Sequence, residues 1–129
     1  MMIIDNLKLL AEFRHLVDNA FIQILVVVVL FDILTGMVKG LKGKQGNSTK
    51  GLLGLIKHLL VVILIITAYP YFSLLGLQPY ANAFVLFYIA SYAISITENL
   101  GQMGVPIPSF VKERIEKLRD LTDKGDDVK

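Results

Sequence analysis

Cysteine is absent from this 129-residue chain. That excludes a disulfide framework and every cysteine-based metal site. Charged residues make up only 19% of the chain. They are so placed that no Lys or Arg separates the second long apolar block from the third. Histidine is limited to His15 and His58; no second histidine or carboxylate stands at metal-ligand spacing from His58, and the two are expected on opposite sides of a membrane. No Ser/His/Asp set and no pair of catalytic carboxylates stands out, so neither an enzyme nor a resident cofactor is expected. The loop GKQGNSTKG holds Gly, Lys, Ser and Thr but lacks the GxxxxGK[ST] spacing and the strand-to-helix setting of a phosphate cradle. The basic residues are too mixed with acids, and too close to apolar blocks, for a nucleic-acid surface. No A-x-A site follows the first apolar run, so a cleaved signal peptide is not expected.

What the chain has instead is apolar length. It is 54% hydrophobic with a mean hydropathy of +0.62. Its apolar residues come in blocks of the roughly 20 residues that a membrane-crossing helix needs. The fold class expected is an all-α membrane protein with three transmembrane helices, flanked by an N-terminal and a C-terminal amphipathic helix, in a single domain. The spans are expected at 20–38, 52–69 and 80–99, with a loop at 39–51. The Val-rich run of the first span favours strand locally, but an isolated strand leaves its backbone unpaired in lipid, so helix prevails. Residues 3–17 have helical periodicity, with Ile3, Leu7, Leu10, Ala11 and Val17 on roughly one face. Gly36 and Gly40 form a GxxxG, read here as a helix end and loop entry. Pro70 and Pro79 bracket an outer turn, with Tyr69, Tyr71 and Tyr80 as an aromatic belt around it. After span three, Gly101, Gly104, Pro106 and Pro108 stop the helix. Ser109 is then expected to cap a last helix, 109–122, that lies on the inner leaflet or docks on its equivalent in a neighbour.

Lysine placement gives an orientation. Lys39, Lys42, Lys44 and Lys50 cluster in the 39–51 loop, and six further Lys and Arg residues follow span three. Cytoplasmic loops collect such residues. The loop and the C-terminus are therefore expected inside the cell, with the loop lysines on anionic headgroups, and the N-terminus outside.

Two features carry functional weight. Asp32 lies seven residues before Lys39, and Lys57 lies seven residues after Lys50. In a hairpin both sit about 10 Å in from the loop. A charge in hydrocarbon costs about 3 kcal/mol on insertion scales and so faces a partner or water. Asp32 and Lys57 are thus candidate partners, within or between subunits, although Lys57 also has the reach to snorkel to the interface. The second feature is span three, where Tyr88, Ser91, Tyr92, Ser95, Glu98, Asn99 and Gln102 share one broad face. Such a face wants a helix or water against it. Packing within one chain would supply that. Three helices have little capacity to hide a whole polar face, so Ser91, Ser95, Glu98 and Asn99 are read as an oligomer seam or pore lining.

In order and spacing, FDILTGMVKG, NSTKGLLGLIKHL and FYIASYAISITENLGQMGVPIP resemble the toxin-secretion/phage-lysis holins of Gram-positive bacteria and their phages. The resemblance runs from about Phe31 past Pro108, and its most specific piece is SITENLGQMGVPIP. It implies a homo-oligomer of the bacterial cytoplasmic membrane that opens lesions, collapses the membrane potential and releases endolysin or a toxin, without direct binding of that cargo. Such members often carry an Asn-Glu pair where Ser91-Tyr92 stands here, so this chain's polar face is the weaker one. Two other classes compete with this reading. One is a small ion-coupled transporter subunit using Glu98 or Asp32, and the other is a membrane anchor that recruits a cytoplasmic partner through 110–122.

Overall fold

A computed structural model describes residues 4–42 and 48–127. Five α-helices follow in order: α1 (Asn6–His15), α2 (Ala20–Lys42), α3 (Ser48–Leu74), α4 (Gln78–Gln102) and α5 (Ser109–Asp127). Among the described residues there is no strand. Three stretches are long and apolar enough to cross a bilayer: Ala20–Leu41, Gly51–Leu74 and Gln78–Gln102. At about 1.5 Å per residue, each exceeds the roughly 30 Å hydrocarbon thickness. The protein is an all-α, multi-pass membrane protein.

All three spans run further than the sequence suggests. α2 continues through Gly36 and Gly40 to Lys42, so neither glycine ends it. α3 continues through Pro70, which is fully buried, to Leu74. Both departures have one cause. In lipid an unpaired peptide group costs several kcal/mol, against about 1 kcal/mol for a helical glycine, so a span breaks only where water or protein takes over. The outer turn shrinks accordingly to Leu75–Leu77. It closes as a glycine-terminated cap: Gly76 sits at φ 73°, its N–H donates to the Ser73 carbonyl, and Leu77 N–H donates to the Phe72 carbonyl. α4 ends in the same motif. Gly104 stands at φ 82°, and Val105 N–H reaches back to the Leu100 carbonyl.

Caps fix the other helix starts. Asp5 accepts from Leu7 N–H at 2.8 Å to begin α1. Asn19 Oδ1 accepts from Phe21 and Ile22 N–H to begin α2. Ser109, expected as the cap, is instead the first helical residue of α5, and the Pro108 carbonyl accepts from Val111 and Lys112 N–H. The helix also runs on to Asp127 rather than ending at 122.

The spans form a three-helix bundle in which α2 packs most extensively on α4 and α3 leans on both. Its core is a layer of Leu25, Val29, Ile65 and Val85, with Leu25 and Val85 fully enclosed. Around that layer the spans leave large apolar side chains bare, among them Leu30, Phe31, Leu34, Leu60, Ile63 and Phe87. α3 is the least covered of the three. Such a surface is stable against lipid and not against water.

α1 packs on α3 through a different stripe from the one its periodicity suggests. Phe13 meets Tyr71 edge-on, Leu16 is buried, and Glu12 accepts from Ser73 Oγ at 2.8 Å. Leu7, Leu10 and Val17, on the expected apolar face, stay exposed; Ile3 lies outside the described residues.

Candidate functional site

Two polar clusters are set into the bundle, one at each end of the apolar layer. The first surrounds Asp32. This acid is only 5% exposed, and α4 supplies its donors. Ser95 Oγ donates to Asp32 Oδ1 at 2.5 Å, and Asn99 Nδ2 donates to the same oxygen at 3.2 Å. Asn99 Nδ2 also donates to Thr35 Oγ1 at 3.0 Å. From α3, His58 Nε2 stands 3.6 Å from Asp32 Oδ2, beyond hydrogen-bond length and within electrostatic reach. The far ring nitrogen, His58 Nδ1, lies 3.0 Å from the Tyr92 hydroxyl. Among the described residues, no buried side-chain polar atom lacks a partner. The acid is therefore ringed by matched groups, as a polar group in a low-dielectric interior must be.

Local sequence explains the placement. On α4, Tyr92, Ser95 and Asn99 recur at helical spacing and line the side that faces α2. Gly36 faces Asn99 here: a Cβ built on it would stand 3.7 Å from Asn99 Nδ2, an ordinary van der Waals contact. On α3, His58, Val62, Ile65 and Tyr69 form the stripe that enters the bundle, and Lys57 falls beside it. Lys57 is exposed. The structure therefore does not bring Lys57 to Asp32 within the chain; the imidazole next to it in sequence takes that position. Equal depth is set by counting residues, but the side of the helix is set by the stripe.

The other expected site residues are placed as follows. Ser95 and Asn99, read as seam residues, contact Asp32 of their own chain. Glu98 pairs with Arg119 of α5. Ser91 donates to the Phe87 carbonyl of its own helix. The face of α4 expected to seek another copy is thus partly covered by α2 of the same chain. Of the loop lysines, Lys39 is described and half-buried, only the backbone of Lys42 and Lys50 is described, and Lys44 lies outside the described residues.

The second cluster, about 20 Å from the first along α2, is built on Tyr69. The Tyr69 hydroxyl accepts from Asn19 Nδ2 at 2.9 Å and from Gln78 Nε2 at 3.2 Å, and donates to Asn82 Oδ1 at 2.6 Å. Tyr69 is buried, so it ties α2, α3 and α4 together and is not part of an aromatic belt. Tyr71 and Tyr80 are exposed. Sequence reasoning missed this cluster. The available signal was an Asn, a Tyr and an Asn, each on the inward stripe of its span.

Neither cluster has the order of a nucleophilic triad. In a nucleophilic triad the imidazole stands between hydroxyl and acid. Here Asp32 stands between Ser95 and His58, so the imidazole does not face the Ser95 hydroxyl. No group of three potential metal ligands occurs among the described residues. What the arrangement does is hold three helices together by a buried acid.

Comparison with known proteins assigns this bundle. The bacteriophage holin family profile matches residues 14–120, which includes both polar clusters and all three spans. The chain belongs to the bacteriophage holin family. It is 32% identical over 105 residues to a probable holin of Bacillus phage phi105, covering 81% of this chain and 78% of that protein. It is 36% identical over 101 residues to the YqxH protein of Bacillus subtilis, covering 78% and 72%. It is 26% identical over 126 residues to the holin-like protein TcdE of Clostridioides difficile, covering 83% and 76%. No solved structure matches it. Membership in this family points to a non-enzymatic role in the membrane.

Proposed function

We propose that this holin-family chain accumulates in the bacterial cytoplasmic membrane, self-associates, and opens lesions that release endolysin or a toxin and collapse the membrane potential. The N-terminus lies outside and the C-terminus in the cytoplasm, with Lys39, Lys42, Lys44 and Lys50 at the anionic inner surface. The cargo passes through the lesion and need not bind the chain.

The observation that supports this reading most is the Asp32 cluster. A single copy satisfies its buried acid with Ser95, Asn99 and His58 of its own spans, while the lipid-facing surface stays apolar. Such a copy is closed. A lesion needs wettable walls, and the polar groups that could supply them are those of this cluster together with Ser91 and Glu98. Opening therefore exchanges contacts within a chain for contacts with water and with other copies. Lys57 is free in this scheme to meet an acid of a neighbouring copy.

The test is induced expression in a bacterium that carries a cytoplasmic endolysin. Abrupt lysis at a defined time, with dye leakage, is expected. Ser91→Leu combined with Ser95→Leu is expected to insert normally and fail to open. Normal leakage and normal crosslinked oligomers in that variant would remove the cluster from the mechanism. Substrate-dependent flux without cell death would point to a transporter. Loss of every phenotype on deleting 110–129 would point to an anchor.

A further inference from the structure

We infer that α5 is a membrane-surface helix, seated with its exposed apolar arc in the headgroup region of the leaflet into which α4 ends and held there by anionic phospholipid. The inference rests on membrane insertion of the chain and not on lesion formation, so either can fail without the other.

The residues sort cleanly around α5. At about 3.6 residues per turn, Val111, Ile115 and Arg119 fall on one stripe. Val111 and Ile115 are half-buried and Arg119 pairs with Glu98, so this stripe is the side turned to α4. The next stripe round carries Phe110 and Leu121, each 67% exposed, with Leu118 between it and the α4 side. Arg114 lies inside this arc and Lys117 on its outer edge. Glu113, Asp120 and Glu116 follow in turn on the flank beyond Lys117, with Lys112 farther round. An apolar arc that holds Arg114 and is edged by Lys117, with the acids outside it, is a charge order that an anionic lipid surface selects.

Two further observations favour lipid over a second copy of α5. Arg114 stands in the middle of the arc. A two-fold pairing through that arc would bring two guanidinium groups together with no acid on the same face. On a bilayer the same side chain lays its stem along the apolar arc and turns its head to phosphate. The same end of the bundle already exposes apolar side chains: Met37, Val38 and Leu41 at the end of α2, and Val105 in the α4–α5 linker, are bare. Glu98–Arg119 and the short linker tie α5 to the last turns of α4, which keeps it at that level.

The chain has no tryptophan, so one substitution provides a sole reporter. Full-length Phe110→Trp is reconstituted in vesicles of phosphatidylcholine with phosphatidylglycerol. A helix seated about 5–10 Å into the boundary should lose about half its emission to lipids brominated high on the acyl chain and less to lipids brominated near the chain end. It should also be shielded from aqueous acrylamide. Leu121→Trp should behave alike, and Glu116→Trp should be quenched by acrylamide and not by bromolipid. Arg114→Glu with Lys117→Glu, in the Phe110→Trp background, should restore acrylamide quenching. Acrylamide access at both Phe110→Trp and Leu121→Trp would overturn the inference. Shielding from acrylamide and bromolipid together would also overturn it, because the arc would then be covered by protein.

Discussion

Replacing Asn99 with leucine tests whether the Asp32 cluster holds one chain together or waits for another. The substitution keeps volume and removes two donors at once, to Asp32 Oδ1 at 3.2 Å and to Thr35 Oγ1 at 3.0 Å. Interhelical hydrogen bonds in membrane proteins couple by about 0.6 kcal/mol on average and about 1.7 at most. Two such bonds therefore give a loss of about 1–3 kcal/mol. The acid keeps Ser95 and His58, so the fold survives. The assay is SDS-induced unfolding of the full chain in mixed micelles, followed by circular dichroism at dilutions where each micelle holds one copy. Asn99→Leu should lower the midpoint. If Asn99→Leu unfolds with the parent midpoint while crosslinking between copies falls, Asn99 acts between chains and the placement argued above is wrong.

Further outcomes follow from the same geometry. His58→Leu should destabilise the single chain by about 1 kcal/mol while Lys57→Leu stays within about 0.5 kcal/mol of parent; equal effects in the same micelle titration would return Lys57 to the pair. Gly40→Ala, with nothing within 4 Å of the added methyl, should raise stability by up to about 1 kcal/mol. Gly76→Ala should lower it by about 1–2 kcal/mol, because its φ of 73° is left-handed and disfavours any Cβ; thermal melts of the two variants should move in opposite directions. Ser73→Ala removes the 2.8 Å hydrogen bond to Glu12 and should speed tryptic cleavage at Arg14. An unchanged rate would mean that Phe13 against Tyr71 suffices to hold α1.

Much of this architecture was legible because bilayer crossing is a local property. A run of about 20 apolar residues declares a span whatever it packs on, and the helices flanking the spans show by period. Asp32 was legible for the same reason, as an acid where acids are costly. The azimuth of α3 was not. Lys57 and His58 lie one residue apart and so about 100° apart around the helix. Counting inward from the loop gives depth alone. Only the stripe through Val62, Ile65 and Tyr69 decides between them, and that stripe gains meaning once α2 and α4 are in place. Gly36, Gly40 and Pro70 misled by habit of aqueous proteins, where such residues end helices because water accepts the freed backbone. Tyr69 misled because tyrosines near a span end usually mark the boundary, whereas this one meets Asn19, Gln78 and Asn82 inside the bundle. The polar face of α4 was read as needing company. That α2 of the same chain provides much of it depends on the extensive packing of α2 on α4.

The layer of Leu25, Val29, Ile65 and Val85 lies between the two polar clusters and is closed to solvent. Among the described residues, no side-chain hydrogen bond joins one cluster to the other across it. A lone copy is in effect a sealed rivet, and in the proposed scheme such rivets collect while the proton gradient stays intact. In that scheme harm depends on how many are crowded together rather than on whether any is present.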